Sequence, residues 1–253
     1  MPLQFGRSRA YSPSIDPRLA VWLRASDAPS GASTSLVDYA HSRTFNGSFT
    51  RDTSINGTPT VAFNGSTDGL ISASNISEMN GASAYTLILG MAAPLLGGGY
   101  KVIAELGHNS ATDPDAAIIY QVMNAGEWFA QYGMGSAVNA GTQSRKPPQP
   151  DPTTTPSVWV FQINLADPAA PTCSFWRNNQ APAVTAWTLS ANSGAFGNHP
   201  LNIGRLGTPD SGSGDAHPMA LSFTQFRLYS AALNDADREA ASLEVAAASG
   251  IVF

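Results

Sequence analysis

The dipeptide Asn-Gly occurs four times in the first third of the chain, at Asn46, Asn56, Asn64 and Asn80. Asn and Gly accept the positive φ angles that tight hairpin turns demand. Between two of these dipeptides lies TPTVAF (Thr58–Phe63), rich in β-branched and aromatic residues that favour strands. A chain punctuated this way is expected to fold back on itself as short antiparallel strands.

The pattern continues through the chain. AYTLILGMAAP (Ala84–Pro94), YKVIAELG (Tyr100–Gly107), AAIIYQVMN (Ala116–Asn124) and EWFAQYGM (Glu127–Met134) are short runs separated by Gly, Asn, Asp or Pro. In YKVIAELG the alternation predicts Tyr100, Val102 and Ala104 on one face, with Lys101, Ile103 and Glu105 on the other. Residues 144–157 hold five prolines and are predicted to be a surface loop. The strand pattern then resumes in SVWVFQIN (Ser157–Asn164), PTCSFWRNNQAP (Pro171–Pro182), VTAWTLS (Val184–Ser190) and HPLNIGRLG (His199–Gly207). Residues 1–17 read as an extended arm, because Pro2, Pro13 and Pro17 block helix formation. Residues 18–253 read as one β-sandwich domain.

The chain ends differently, on FTQFRLYSAALNDADREAASLEVAAASG (Phe223–Gly250). A closing strand is expected here, followed by a helix of about four turns. Asn234 is placed to cap that helix, with Asp235 and Asp237 at its positive end and Gly250 as terminator. Leu233 and Leu243 are its expected inward-packing residues.

Composition excludes several functions. Charged residues make up 12% of the chain and the net charge is −5. Lysine occurs only at Lys101 and Lys146, so no cluster exists to bind phosphates and nucleic acid is not an expected partner. The densest basic spot is Arg7 and Arg9, in the arm. The single cysteine, Cys173, forms no intrachain disulfide and reads as a small buried hydrophobe. MPLQFGRSRAYSPS lacks the apolar core of a signal peptide, and no run nears the roughly 20 apolar residues of a membrane helix. Neither cleaved-signal export nor a membrane partner is expected. The sequons at Asn46, Asn56, Asn64 and Asn75 then read as turn residues.

In their order, SVWVFQIN, SFWRNNQ, LNIG and FRLYSAALNDADREAASL resemble the concanavalin A-like, laminin-G-type jelly roll. LAVWLRASD (Leu19–Asp27) and INGTPTVAFNGSTDGL (Ile55–Leu70) are similar to the N-terminal part of such domains. The resemblance covers most of residues 18–249. It implies an all-β, antiparallel jelly-roll sandwich with a C-terminal capping helix. Domains of this kind serve as lectins, adhesion modules, glycosidases and virion surface proteins, so the fold leaves function open.

The residues argue against catalysis. Sandwich glycosidases that the fold resembles carry Glu-x-Asp-x-x-Glu on one strand face, and that pattern is absent. Glu105 and Glu127 each stand alone in their segments, whereas sugar hydrolysis needs a carboxylate pair. His41, His108, His199 and His217 are scattered, and no Gly-x-Ser-x-Gly elbow occurs. A non-enzyme is expected, with no required cofactor. Calcium stays open, because loop carboxylates are suitable ligands. Asp113 with Asp115, and Asp210 with Asp215, are the candidates, each pair reading equally as a solvated acidic turn. Sugar binding calls for an exposed aromatic. Trp128 and Tyr132 are the candidates, while Trp22, Trp159 and Trp176 sit in apolar runs and read as core.

Three readings follow. The first is a noncatalytic phage virion component, a capsid decoration or tail-associated protein, made without a signal peptide and carried on the particle. Its arm, with Arg7, Arg9 and Tyr11, would dock on a further copy or on another capsid or tail protein. The alternative is a carbohydrate-binding adhesion module that meets a cell-surface glycan. The third is a glycoside hydrolase or lyase with an unrecognised site.

Overall fold

A computed structural model describes residues 16–92, 100–107, 113–122, 127–134, 142–145, 155–167, 170–180, 183–186, 195–208 and 217–253. Fifteen antiparallel strands and one helix make up these residues. The strands are β1 (Leu19–Arg24), β2 (Gly31–Val37), β3 (Thr44–Ile55), β4 (Thr58–Asn64), β5 (Gly69–Ser72), β6 (Ala84–Ala92), β7 (Tyr100–Leu106) and β8 (Pro114–Val122). They continue as β9 (Glu127–Met134), β10 (Thr142–Arg145), β11 (Ser157–Asn164), β12 (Thr172–Arg177), β13 (Ala183–Ala186), β14 (Leu201–Ile203) and β15 (Ala220–Tyr229). The helix α1 (Asp235–Ser249) follows directly.

Hydrogen bonding runs in the order β10-β9-β8-β7-β14-β5-β3-β4-β15-β6-β11-β12-β13, with β1 beside β15 and β2 beside β3. The long strand β3 joins the two layers of the sandwich. Its first half pairs with β5, from Phe45↔Ser72 to Ser48↔Gly69. Its second half pairs with β4, from Thr50↔Ala62 to Ile55↔Thr58. Between the layers lies an apolar core containing Phe45, Phe49, Phe161, Phe175, Phe223 and Phe226.

Only some of the Asn-Gly pairs make hairpin turns. Asn56 and Gly57 have φ of 49° and 73°, the two-residue geometry that joins β3 to β4. Asn46-Gly47 instead lies inside β3. Gly47 is there because β3 meets β5 so closely that a Cβ would run into the Gly69 carbonyl. After Asn64, the side-chain Oδ1 accepts from the N–H groups of Ser66, Thr67 and Asp68 at 2.8, 3.0 and 3.2 Å. Asp68 is thus a turn residue.

Two further expectations are corrected. A bulge between Val102 and Ala104 breaks the alternation of β7, and Val102, Ile103, Ala104 and Glu105 are all buried. Both faces of β7 are therefore covered. At the ends of the predicted 144–157 loop, Ser144 and Arg145 belong to β10 and Ser157 starts β11, while residues 146–154 lie outside the described residues.

α1 covers the outer face of the β15–β6–β11 layer. Asn234 Oδ1 accepts from the Asp237 N–H at 2.9 Å, and Gly250 ends the helix at φ 61°. The face turned to the sheet is Arg238, Ala241, Ser242, Val245, Ala246 and Ser249, spaced as one helical stripe. A second apolar cluster fills this interface, including Trp22, Ile88, Val160, Trp176, Tyr229, Leu233 and Val245. Leu233 is buried as expected, but Leu243 is 49% exposed. Leu243 lies off the buried stripe, so the helical period turns it to solvent. The helix lies on Gly90, where a Cβ would meet Thr224 Oγ1 at 2.7 Å and Val245 Cγ1 at 3.0 Å. Small residues fit that seam, and a leucine does not.

Candidate functional site

β1 is the strand around which the surface chemistry gathers. One edge pairs with β15, from Leu19↔Tyr229 to Arg24↔Gln225. The other edge is closed by the turn between β2 and β3. Asp38 Oδ1 accepts from the Trp22 and Ala40 N–H groups at 2.8 and 2.9 Å, and the Tyr39 N–H donates to the Trp22 carbonyl at 2.8 Å. Arg43 Nη1 donates to the Ala20 carbonyl at 2.9 Å, and His41 Nε2 lies 2.8 Å from the Leu19 carbonyl. Glu78 binds the same turn through His41 Nδ1, 3.2 Å away, and through Arg43. Burial raises the Asp38 pKa above its ordinary value, against the hydrogen bonds from Trp22 and Ala40 and the charge of Arg43.

This turn presents Tyr39, which with Phe253 forms the set of exposed aromatics among the described residues, at 46% and 42%. The Arg24 guanidinium lies 3.5 Å from the Tyr39 ring centroid, and the Tyr39 and Trp22 rings meet edge to face at 4.7 Å. Arg227 sits 4.7 Å from the Trp22 centroid. Polar partners fix each cation: Arg24 Nε donates to Asp27 at 2.7 Å, and Arg227 donates to Gln225 at 3.0 Å and Glu244 at 2.8 Å. Trp22 Nε1 donates to the same Gln225 oxygen at 3.1 Å. The result is an exposed Tyr39 ring with the half-buried Arg24 guanidinium on its face, backed by the buried Trp22 and Arg227 and rimmed by carboxylates. Such a surface can stack on a sugar ring and hydrogen-bond its hydroxyls.

At the opposite end of β1 a cleft of about 130 Å³ opens between Asp16–Arg18 and the first turns of α1. Arg18 bridges its two sides. Its Nε and Nη2 donate to the two Asp16 carboxylate oxygens at 2.9 and 2.8 Å, and its Nη1 donates to Asp237 at 2.8 Å. Hydrogen bonding to Asp16 above all raises the Arg18 pKa further. Tyr229, Leu233, Ala240 and Ala241 complete the lining. Burial pushes the Tyr229 phenol above its ordinary pKa, with the Arg227 guanidinium opposing the rise.

The residues singled out in the sequence are placed unevenly. Trp128 and Tyr132 lie in β9, Trp128 opposite Gln121 and Arg145, and Tyr132 opposite Ala117; their side chains fall outside the described residues. Asp113 Oδ2 is 3.9 Å from His199 Nδ1. Asp115 has φ 60° at a bulge in β8, and its carbonyl accepts from the Gly197 N–H at 3.1 Å. Among the described residues no group of three His, Cys, Asp or Glu converges to hold a metal ion. Asp210, Asp215, Arg7, Arg9 and Tyr11 fall outside the described residues. Glu105 is fully buried, where it accepts from Asn202 Nδ2 at 3.0 Å and the Gly207 N–H at 2.7 Å. Cys173, Trp22, Trp159 and Trp176 are buried.

Sequence reasoning passed over Tyr39, Arg24, Asp38 and Arg18. Asp38 reaches Trp22 across 16 residues, Arg18 reaches Asp237 across 219, and Trp22, against which Tyr39 and Arg24 pack, reaches Gln225 across 203. Asp237 was assigned only to the helix start, and it also serves the cleft.

No family model matches the chain, and no curated protein sequence matches it. Solved structures do match. The botulinum neurotoxin serotype C1 binding domain superimposes with a TM-score of 0.63 at 10% identity, covering 91% of this chain and 53% of that one. The receptor-binding domain of the C/D mosaic serotype gives 0.64 at 11% identity, covering 91% and 52%. A Trypanosoma rangeli sialidase gives 0.57 at 17% identity, covering 95% and 36%. The chain thus spans about half the length of the toxin binding domains and about a third of the sialidase. At these identities the likeness is one of fold: an all-β, antiparallel, jelly-roll-like sandwich.

Proposed function

We propose that this chain is a noncatalytic binding module whose ligand is a carbohydrate. One observation carries the reading: over nine-tenths of its length the chain shares the fold of toxin binding domains. Related toxin domains are described in complex with SialylT and with synaptotagmin II, and the type C toxin as interacting with two ganglioside molecules. The Tyr39–Arg24–Trp22 surface supports the reading with a stacking ring and fixed polar groups. The test is a glycan array probed with and without calcium, followed by titration of each hit. Binding to a defined glycan class is expected. An array that stays blank in both conditions removes the reading, and turnover of any polysaccharide on a broad panel removes its noncatalytic part.

The sandwich can also serve on a phage particle, as a capsid decoration or tail-associated protein. Low charge favours this setting, as does the β2–β3 hairpin, whose exposed residues are mostly Ser, Thr, Asn and Asp. Copurification with a particle at a fixed copy number is the expected result. Residues 1–17, with Arg7, Arg9 and Tyr11, would be the docking arm, and normal incorporation after deletion of residues 1–16 would exclude that role.

A further inference from the structure

We propose that His41 is a proton-operated clamp on the turn that carries Tyr39, closed when the imidazole holds two protons and loosened when it loses one. Its effect on glycan affinity rests on the carbohydrate-binding reading; the clamp itself does not.

The turn needs anchors. Residues 38–43 close on themselves, with the Asp38 N–H donating to the Arg43 carbonyl at 2.7 Å and the Ser42 N–H to the Asp38 carbonyl at 2.8 Å. Ser42 has φ 57°, a left-handed conformation that a serine keeps only where its surroundings hold it. Tyr39 ties one end of the turn to Trp22 through its N–H. His41, two residues on, ties the other end to β1 and to Glu78.

Both ring nitrogens of His41 face oxygen. Nε2 lies 2.8 Å from the Leu19 carbonyl, and Nδ1 lies 3.2 Å from a Glu78 carboxylate oxygen. Neither oxygen has a proton to give. A neutral imidazole carries a single N–H, so it serves one oxygen and turns a lone pair on the other. The imidazolium presents an N–H to each.

The surrounding charges act in both directions. Glu78, from the one-turn helix Ser77–Met79, and the buried Asp38 favour the imidazolium. Arg43 opposes it, 3.6 Å from Asp38 Oδ2 and paired with the same Glu78 oxygen as His41. Two carboxylates thus share one guanidinium, and the imidazolium is the second cation. Imidazole changes charge between about pH 5 and 8. The clamp is closed on the acid side of that range and loosens on the alkaline side, so acid firms the turn on which Tyr39 stands.

The experiment compares the full-length parent with His41→Gln and His41→Lys at about pH 5.5 and about pH 7.5. The His41 side chain is 35% exposed, so the variants should fold. The parent should have a higher Tm than His41→Gln at the lower pH, and the gap should shrink at the higher one. The best hit from the glycan array should bind the parent about two- to fivefold more tightly at the lower pH, the scale of an ion pair this exposed. His41→Gln should show no such difference, and His41→Lys, a cation throughout, should keep the tighter affinity at both. A Tm gap that stays constant or widens with pH overturns the clamp. A shrinking gap that glycan affinity does not follow overturns its link to Tyr39. If the parent binds no glycan at either pH, the carbohydrate reading falls, and the Tm gap still decides the clamp.

Discussion

The Asp38 carboxylate accepts the Trp22 N–H at 2.8 Å, doing for the edge of β1 what a neighbouring strand would do. Trp22 in turn packs between Arg227 and the Arg24–Tyr39 stack. The candidate binding surface is therefore built on a strand edge that one side chain closes.

Asp38→Ala leaves the Trp22 and Ala40 N–H groups without an acceptor. A loss of about 2–4 kcal/mol is expected, since each unpaired buried donor costs roughly 1–3 kcal/mol. Chemical denaturation of the variant measures it. A change below about 0.5 kcal/mol, the range of ordinary surface substitutions, would refute the latch.

The same residue sets a pH dependence. Burial raises the Asp38 pKa, so the folded state favours the protonated form. Its contribution to stability is fullest below the ordinary value of 3.8 and is lost as pH rises through the raised value. Asp38→Asn has no charge to bury. Its Tm relative to the parent should climb as pH rises from about 3 to about 7. A difference that stays flat, or falls, contradicts the assignment.

Gly90 tests the seam between α1 and the sheet. A methyl group there meets Thr224 Oγ1 at 2.7 Å and Val245 Cγ1 at 3.0 Å. Gly90→Ala should cost about 1–3 kcal/mol through overpacking, and Gly90→Val more. Far-UV circular dichroism should show the helix retained in Gly90→Ala. Full stability in Gly90→Val would mean that the helix does not sit this close.

Tyr39→Ala and Arg24→Ala address the surface itself. Tyr39 is 46% exposed, and exposed cation–π contacts contribute about 0.5–1 kcal/mol. Each variant should lose only about that much stability while weakening glycan binding severalfold. Unchanged glycan affinity in both would move the ligand away from this surface.

Asn234→Ala removes the side chain that accepts from the Asp237 N–H. A loss of about 1 kcal/mol is expected from an N-cap. Asp237 also holds Arg18, so the cap and this ion pair share one residue. An Asn234→Ser variant, which keeps a capping oxygen, should restore the stability, as chemical denaturation of both variants would show.

Much of the fold was legible because its signals are local. Asn56-Gly57 makes its turn by its own dihedral preferences, and Asn234, Asp237 and Gly250 start and stop the helix within a few residues. Asn46-Gly47 misled because glycine is also needed where backbones touch, and nothing near Gly47 in the chain announces Gly69. Leu243 misled because apolar character argues for burial, whereas the helix turns its stripe of Ala241, Ser242, Val245 and Ser249 to the sheet and leaves Leu243 off it.

The sequence by itself determined an antiparallel β architecture, a buried Cys173 and a capped terminal helix. These follow from turn chemistry, strand alternation, capping and composition, each set by near neighbours. Only the tertiary structure decided which residues share a surface. It carried β15 and α1 back beside β1, so that Arg18 meets Asp237 and Trp22 meets Gln225 and Arg227. Those contacts join residues about 200 positions apart, and no local preference of the chain encodes them.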